Sequence, residues 1–454
     1  MQEYGGAFFV KDKELWSILR KVAVPIALQN LLMSLLNMID TVMIGALGDL
    51  AVASVGLANQ IFFILNLVIF GITSGTAIYV AQYFGKKDFE NIKRPVAYSL
   101  VLSTAFAILF SILALMTPEF SLKLFTNDME IVAEGTKYLR IAGWSYLMFG
   151  ISFTFAVALR STEQAFVPLV VTAAALCINT IFNYIFINGK FGFPAMGVEG
   201  AAVATLIARG TELLIFCYLV FFRKNIIAPR WKDFVFDKVF AVKYIKVITP
   251  VVLNESMWGI GVSIYNAVFG RIGKEVVAAN QIARNAEQIL TALCIGVGSA
   301  AAVVIGKKIG ERDRKGALEY ARKFSVLSTV FGLVLGIILI FLSPAILKIY
   351  TVSPQAKEYA WQFLLILGIV MWIKMFNYVN IVGTLRGGGD TTFCLFLDVG
   401  AVWLIGVPLV YLTGLKWGLP IIVVMICLNA EEIVKSVFGF WRLRSNKWVN
   451  DLVN

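Results

Sequence analysis

A carboxylate stands in the middle of an apolar run at Asp40, in "SLLNMIDTVMIG". At the centre of a membrane-spanning helix an acid costs at least about 2.5–3.5 kcal/mol, and it is retained where it faces a cavity, pairs, or exchanges a cation or proton. Asn37 lies three residues earlier, on the same face if the run is helical. Asn179 and Asn183 in "CINTIFNYIF" are spaced i, i+4 and share a face, while Thr205 in "GAAVATLIARG" and Tyr138 in "KYLRI" carry hydroxyls. Each offers oxygen, the ligand chemistry of Na+ and of hydrogen bonding around a carboxylate that takes up a proton. A single carboxylate suits one monovalent cation or one proton. The second half of the chain has its own isolated charges: Glu255, Arg284, Glu287 and Lys374. A Glu255–Lys374 pair would neutralise itself and act structurally, with ion or substrate binding as the alternative. The chain has no histidine, so proton chemistry must lean mainly on carboxylates.

The elements that must position these groups are membrane-spanning helices. Of 454 residues, 59% are hydrophobic and 15% charged, against about 25% charged in a soluble domain. Runs such as "IFFILNLVIFGITSGTAIYVAQYF" and "YSLVLSTAFAILFSILALM" can each cross a hydrocarbon core of about 30 Å as a helix. The pattern predicts an all-α integral membrane protein with twelve spans. The opening "MQEYGGAFFVKDKELW" lacks the layout of a cleaved signal, so the first span is expected to serve as the insertion signal. With both termini placed inside, Lys and Arg number roughly 27 in cytoplasmic segments (Lys11 among them) against 7 outside. That bias predicts a multi-pass protein of the inner, cytoplasmic membrane with both termini cytoplasmic. It also accounts for the net charge of +12 without nucleic acid as a partner. The five cysteines show no CxxC spacing, which argues against a zinc site or a disulfide framework.

The two halves repeat. A shift of 225 residues pairs Pro25 with Pro250, Gly48 with Gly273, Gly71 with Gly296 and Asp88 with Asp313. Six spans per half give parallel repeats, a transporter architecture with its binding cavity expected near mid-membrane. The organisation read from this is an N-lobe over 1–222, a cytoplasmic linker over 223–240 and a C-lobe over 241–454. Asp40 has Tyr265 as its counterpart, so shared scaffold geometry does not require the acid. Pro25 removes a backbone hydrogen bond and is a candidate hinge in the first helix, with a static kink as the alternative. "RGGGD" at 386–390 follows no strand and no Walker motif is present, so direct nucleotide drive is not expected.

Several stretches carry a resemblance: "P-x14-D-x4-G" from Pro25 to Gly45, then "GALGDLAVASVGLANQ", "AQYFGKKD" and "ALRSTEQ", and in the second half "AANQIARNAEQI" and "TLRGGGDTT". In that order they resemble the multidrug and toxic compound extrusion (MATE) family over essentially the whole chain. The resemblance implies two six-helix lobes and efflux of amphipathic, cationic organic compounds in exchange for Na+ or H+, by a monomer with no other cofactor. It carries an N-lobe cation site onto Asp40, Asn179, Asn183 and Thr205, with Tyr138 as a neighbour. Relatives commonly have aspartate where this chain has Asn183, which leaves the choice between Na+ and H+ open. Other relatives place C-lobe cation ligands in the seventh and tenth helices, where this chain offers Glu255, nearer the proline, and Lys374. The alternative, a flippase for a lipid-linked precursor of a related superfold, would want several interior basic residues. The candidates are Arg140, Arg209, Arg284 and Lys374. An intramembrane enzyme is disfavoured, because no metal motif and no clear nucleophile–base pair is present.

Overall fold

The structure, a computed structural model, describes residues 12–235 and 237–453. Lys11 of the charge count therefore lies outside the described residues. Every regular element among them is helical. Eleven helices are long and apolar enough to span a bilayer: α1 (Lys13–Gly45), α2 (Asp49–Gly85), α3 (Phe89–Met116), α4 (Met129–Ser161), α5 (Phe166–Asn188), α6 (Gly197–Phe222), α7 (Lys238–Ile272), α8 (Lys274–Gly310), α9 (Arg314–Ile349), α10 (Pro354–Leu385) and α11 (Thr391–Lys416). The expected twelfth span is two shorter helices, α12 (Ile421–Leu428) and α13 (Ala430–Ser445), separated at Asn429. The all-α, two-bundle membrane fold expected from the hydropathy and the repeats is thus the one observed.

The repeated residues have local reasons to recur. Asp88 accepts a hydrogen bond from the Asn91 backbone nitrogen at 3.2 Å and caps α3. Its counterpart Asp313 accepts from Gly316 at 2.8 Å and caps α9. Such caps satisfy donors that a helix start leaves without an intrahelical partner. Gly48 has φ 104° just ahead of α2, a conformation that side-chain-bearing residues avoid.

Gly71 and Gly296 recur for packing. A Cβ on Gly71 would lie 2.7 Å from the Val252 backbone, and one on Gly296 would lie 2.5 Å from the Ala23 carbonyl and 2.8 Å from the Ala27 side chain. The first turns of α1 therefore pack on α8, and the first turns of α7 pack on α2. Packing accordingly divides the chain inside those two helices. One compact unit is Leu28–Val252; the other joins Leu253 and all that follows to the chain up to Ala27. These division points differ from the 222 and 241 boundaries suggested by the repeat and linker, because helix packing rather than loop position sets them. The linker is strapped within the first unit. Arg230 pairs with Glu90, and Arg94 pairs with Asp237, while the Asp237 backbone nitrogen donates to the Tyr98 hydroxyl at 2.8 Å.

Pro25 lies just after a widened, π-helical turn at Leu19–Ala23. Missing or displaced backbone hydrogen bonds of this kind are the usual origin of helix bends.

Candidate functional site

The Leu28–Val252 unit brings Asp40, Asn179 and Asn183 into contact. Helix α1 carries Asp40, and α5 presents the two asparagines one turn apart on the face that meets it. The Asn183 Nδ2 donates to Asp40 Oδ1 at 2.7 Å. Asn183 is 2% exposed and Asn179 is 7% exposed, whereas Asp40 is half-buried. The Asn179 amide lies against both. In one orientation its Oδ1 accepts from Asn183 Nδ2 at 3.2 Å, and its Nδ2 points to Thr205 Oγ1 on α6 at 3.5 Å. Turned over, Nδ2 faces the carboxylate, 3.1 Å from Asp40 Oδ1 and 3.2 Å from Oδ2. Electrostatics selects between the two. An ionised, empty carboxylate draws the amide nitrogen; a protonated one donates its O–H to the amide oxygen, and a cation bound there would be coordinated by that oxygen. The Oδ1 of Asn183 is buried with no hydrogen-bond partner among the described residues, and buried carbonyls left in that state call for a ligand or water.

The remaining expected members take different places. Thr205 stands at the edge of the set, its hydroxyl donating to the Ala201 carbonyl at 3.0 Å. Tyr138 is buried on α4, and its hydroxyl reaches Asn59 at 3.5 Å. Asn37 is exposed, and its backbone carbonyl accepts from the Thr41 hydroxyl; its side chain makes no hydrogen bond among the described residues. A charge that the sequence reading set aside is close by: Arg209 on α6, whose field acts on both Asp40 and Tyr138.

The other unit holds a denser set of charges, paired otherwise than expected. Glu255 on α7 binds Arg386 at 2.8 Å, and Lys374 on α10 binds Glu287 on α8. The expected Glu255–Lys374 pair is therefore not formed. Sequence reading missed Arg386 because it opens a glycine run; in the fold it is 2% exposed and directly follows α10. Beside that pair Lys435 on α13 binds Asp398 on α11 at 2.7 Å, and Glu431 lies 3.4 Å away. Glu431 in turn accepts from the Tyr265 hydroxyl at 2.6 Å. Buried charges of both signs thus satisfy one another across α7, α10, α11 and α13, as low-dielectric burial requires.

Two copies of one family model, described as MatE, match this chain at residues 25–185 and 250–412. The chain belongs to the MATE family. MATE proteins are transporters and not enzymes. The chain is 26% identical over 440 residues to a probable multidrug resistance protein, NorM, of Thermotoga maritima, covering 94% of this chain and 92% of that one. It is 23% identical to the uncharacterized transporter YisQ of Bacillus subtilis, covering 94% and 93%. Among solved structures, the outward-facing conformation of a multidrug resistance MATE transporter aligns with a TM-score of 0.86 at 20% identity, covering 95% and 96% of the two chains. The two matched segments of the MATE model correspond to the two halves of the repeat, each beginning at its proline, Pro25 or Pro250.

Proposed function

We propose that this MATE-family protein is a secondary antiporter that exports amphipathic, cationic organic compounds, drugs among them, in exchange for Na+ or H+. It works as a monomer in the cytoplasmic membrane with both termini on the cytoplasmic side. The observation that carries the reading is the cage around Asp40: one carboxylate, two buried amides within hydrogen-bonding distance of it, and the unpartnered Asn183 oxygen. Asp40, Asn179 and Asn183 would hold the coupling cation, with Thr205 at the edge and Tyr138 nearby. All are hard oxygen donors suited to Na+, and the same carboxylate accepts a proton.

One carrier must bind either cation or substrate, and the charge on Asp40 supplies the exclusion. Empty, the acid is negative and attracts a cationic solute; loaded, it is neutral and releases it. Pro25 is the proposed hinge through which that change in charge alters the course of α1. The multidrug resistance names borne by relatives support export of foreign organic compounds as the activity.

Dye efflux from proteoliposomes under separately imposed Na+ and pH gradients tests this. The wild type is expected to concentrate a cationic dye under one of the gradients. Asp40→Asn, which keeps size and hydrogen bonding but not the charge, is expected to abolish that response with normal expression. An Asp40→Asn protein that still concentrates dye against a gradient would refute the coupling role.

A further inference from the structure

Helix α1 belongs to both compact units. Its first turns, up to Ala27, go with Leu253 and all that follows, and the remainder, from Leu28, goes with the other unit. The joint falls just after Pro25. We propose that Asp12 and Lys323 are positioning residues of transport: their ion pair anchors the start of α1 on α9, so that a change of charge at Asp40 is taken up in the middle of α1 and not by the helix moving as a whole. This rests on the antiport reading above, since it needs Asp40 to change its charge.

The anchor is built from a helix cap and a buried charge. Asp12 Oδ1 accepts from the Leu15 backbone nitrogen at 2.9 Å and so caps the first turn. Its other oxygen, Oδ2, accepts from Lys323 Nζ at 2.6 Å. Lys323 is 6% exposed and also binds Glu319, one turn away on α9, at 2.5 Å. An ammonium buried this far holds its partners firmly, because leaving it unpaired in low dielectric is costly. Glu14 adds a looser contact, 3.5 Å from Lys308 on α8. Leu15, Ile18, Val22 and Ile26 recur at helical spacing and are all buried, and the Leu19–Ala23 turn packs on α8. The repeat uses the same place twice. At the 225-residue shift Asp12 corresponds to Asp237 and Lys323 to Tyr98. Asp237 likewise caps its helix, accepting from the Val239 backbone nitrogen at 2.9 Å, and its own backbone nitrogen donates to Tyr98. Each half thus opens its first helix with an aspartate cap held by the third helix of the other half. At α7 the holding group is a hydroxyl; at α1 it is a charge.

Beyond the joint α1 is held more loosely. Gln29 Nε2 donates to Thr172 Oγ1 at 2.7 Å, and Asp40 accepts from Asn183 at 2.7 Å. Between Asn30 and Met43 no residue of α1 is buried within the protein; Leu35 and Met38 are 53% and 63% exposed. Segments with few buried contacts are the ones that shift at small free-energy cost. The loose stretch lies between the fixed start of the helix and the acid that changes charge, with the widened turn at Leu19–Ala23 and Pro25 as the place where the backbone gives. A helix displaced at one point transmits that displacement only if another point on it stays put, and the Asp12–Lys323 pair is that point.

Hydrogen exchange of the full protein in lipid nanodiscs and dye efflux from proteoliposomes test the anchor together. Asp12→Asn keeps the cap, since asparagine caps as well as aspartate, and leaves Lys323 neutralised by Glu319, so it removes the ion pair without stranding a charge. In that variant the amides of 13–23 are expected to exchange about tenfold faster than in the wild type, the scale of one charge-assisted hydrogen bond. Gradient-driven efflux is expected to fall several-fold, while the Na+ or pH titration of intrinsic fluorescence still saturates. Lys323→Arg, which keeps the charge, is expected to retain both protection and efflux. Glu14→Gln is expected to do less than Asp12→Asn, because Lys308 keeps Glu311 at 3.3 Å. Unchanged exchange over 13–23 in Asp12→Asn overturns the proposal, and so does undiminished efflux in that variant. Loss of cation saturation along with efflux also overturns it, by marking a general structural defect, as does an effect of Glu14→Gln that equals that of Asp12→Asn. A wild type that concentrates no dye under either gradient would instead overturn the antiport reading, and the exchange measurement would still decide whether the pair fixes α1.

Discussion

Asn183→Asp places a second carboxylate where an amide now donates to Asp40. The Asn183 Nδ2 to Asp40 Oδ1 distance is 2.7 Å, and the replacement sets oxygen against oxygen at that contact. With charge centres taken about 4 Å apart and an effective dielectric of about 20, the repulsion is about 4 kcal/mol. A single shared cation, Na+ or H+, removes most of it. At about 1.4 kcal/mol per tenfold, the ceiling on the gain in cation affinity is roughly a thousandfold. Asp40 is half-buried, and solvent screening lowers this to an expected gain of about ten- to a hundredfold. The assay is a Na+ titration of intrinsic tryptophan fluorescence on purified protein, followed by pH profiles of dye efflux from proteoliposomes. Asn183→Asp is expected to bind Na+ more tightly or to move the pH optimum of transport upward. Asn183→Ala is expected to weaken coupling less than Asp40→Asn, because only a neutral group is lost. If the Na+ half-saturation point and the pH profile are both unchanged in a well-folded Asn183→Asp protein, residue 183 does not share a cation site with Asp40, and the cage reasoning fails.

Arg386→Met is expected to destabilise the protein by about 3–5 kcal/mol, because it strands the buried Glu255 carboxylate, and the Glu255→Gln/Arg386→Met double variant is expected to recover most of that; thermal unfolding in detergent that ranks the double variant no better than the single would refute the pairing. Outside the membrane, hydrogen bonds from the Phe240 and Val239 backbone and from Arg94 hold the Asp237 carboxyl below its ordinary value of 3.8. A depressed acid stabilises the fold above its unfolded value and loses that contribution as pH falls through the folded one. The thermal-stability advantage of the wild type over Asp237→Asn is thus expected to hold at neutral pH and to close as pH falls below 3.8; a gap that persists at acid pH would contradict it. Single cysteines at Lys86, Lys232 and Arg314 are expected to label from the cytoplasm and those at Lys190 and Lys416 from outside, and the reverse pattern would overturn the charge-bias orientation.

The sequence by itself determined the class of this protein. Long uncharged runs dictate spanning helices because no other open backbone structure satisfies its polar groups in lipid. The ordered motifs determined the family, and the isolation of Asp40 in apolar surroundings marked it as the acid to follow. Partners were another matter. Helical spacing shows which residues share a face but not what that face meets, and Asp40 and Asn183 are 143 positions apart. In a membrane the lipid-facing and buried sides of a helix are both apolar, so hydropathy could not show that Asn37, although on the Asp40 side by spacing, is exposed. Nor could it show that Arg386, beside a glycine run, is buried against Glu255 while Lys374 belongs to Glu287. The repeat was legible in Gly71 and Gly296, but their meaning was not. Only the packed structure shows each glycine admitting a neighbouring helix so closely that the units divide inside α1 and α7. That outcome rests on backbone-to-backbone distance, which one-dimensional spacing does not encode.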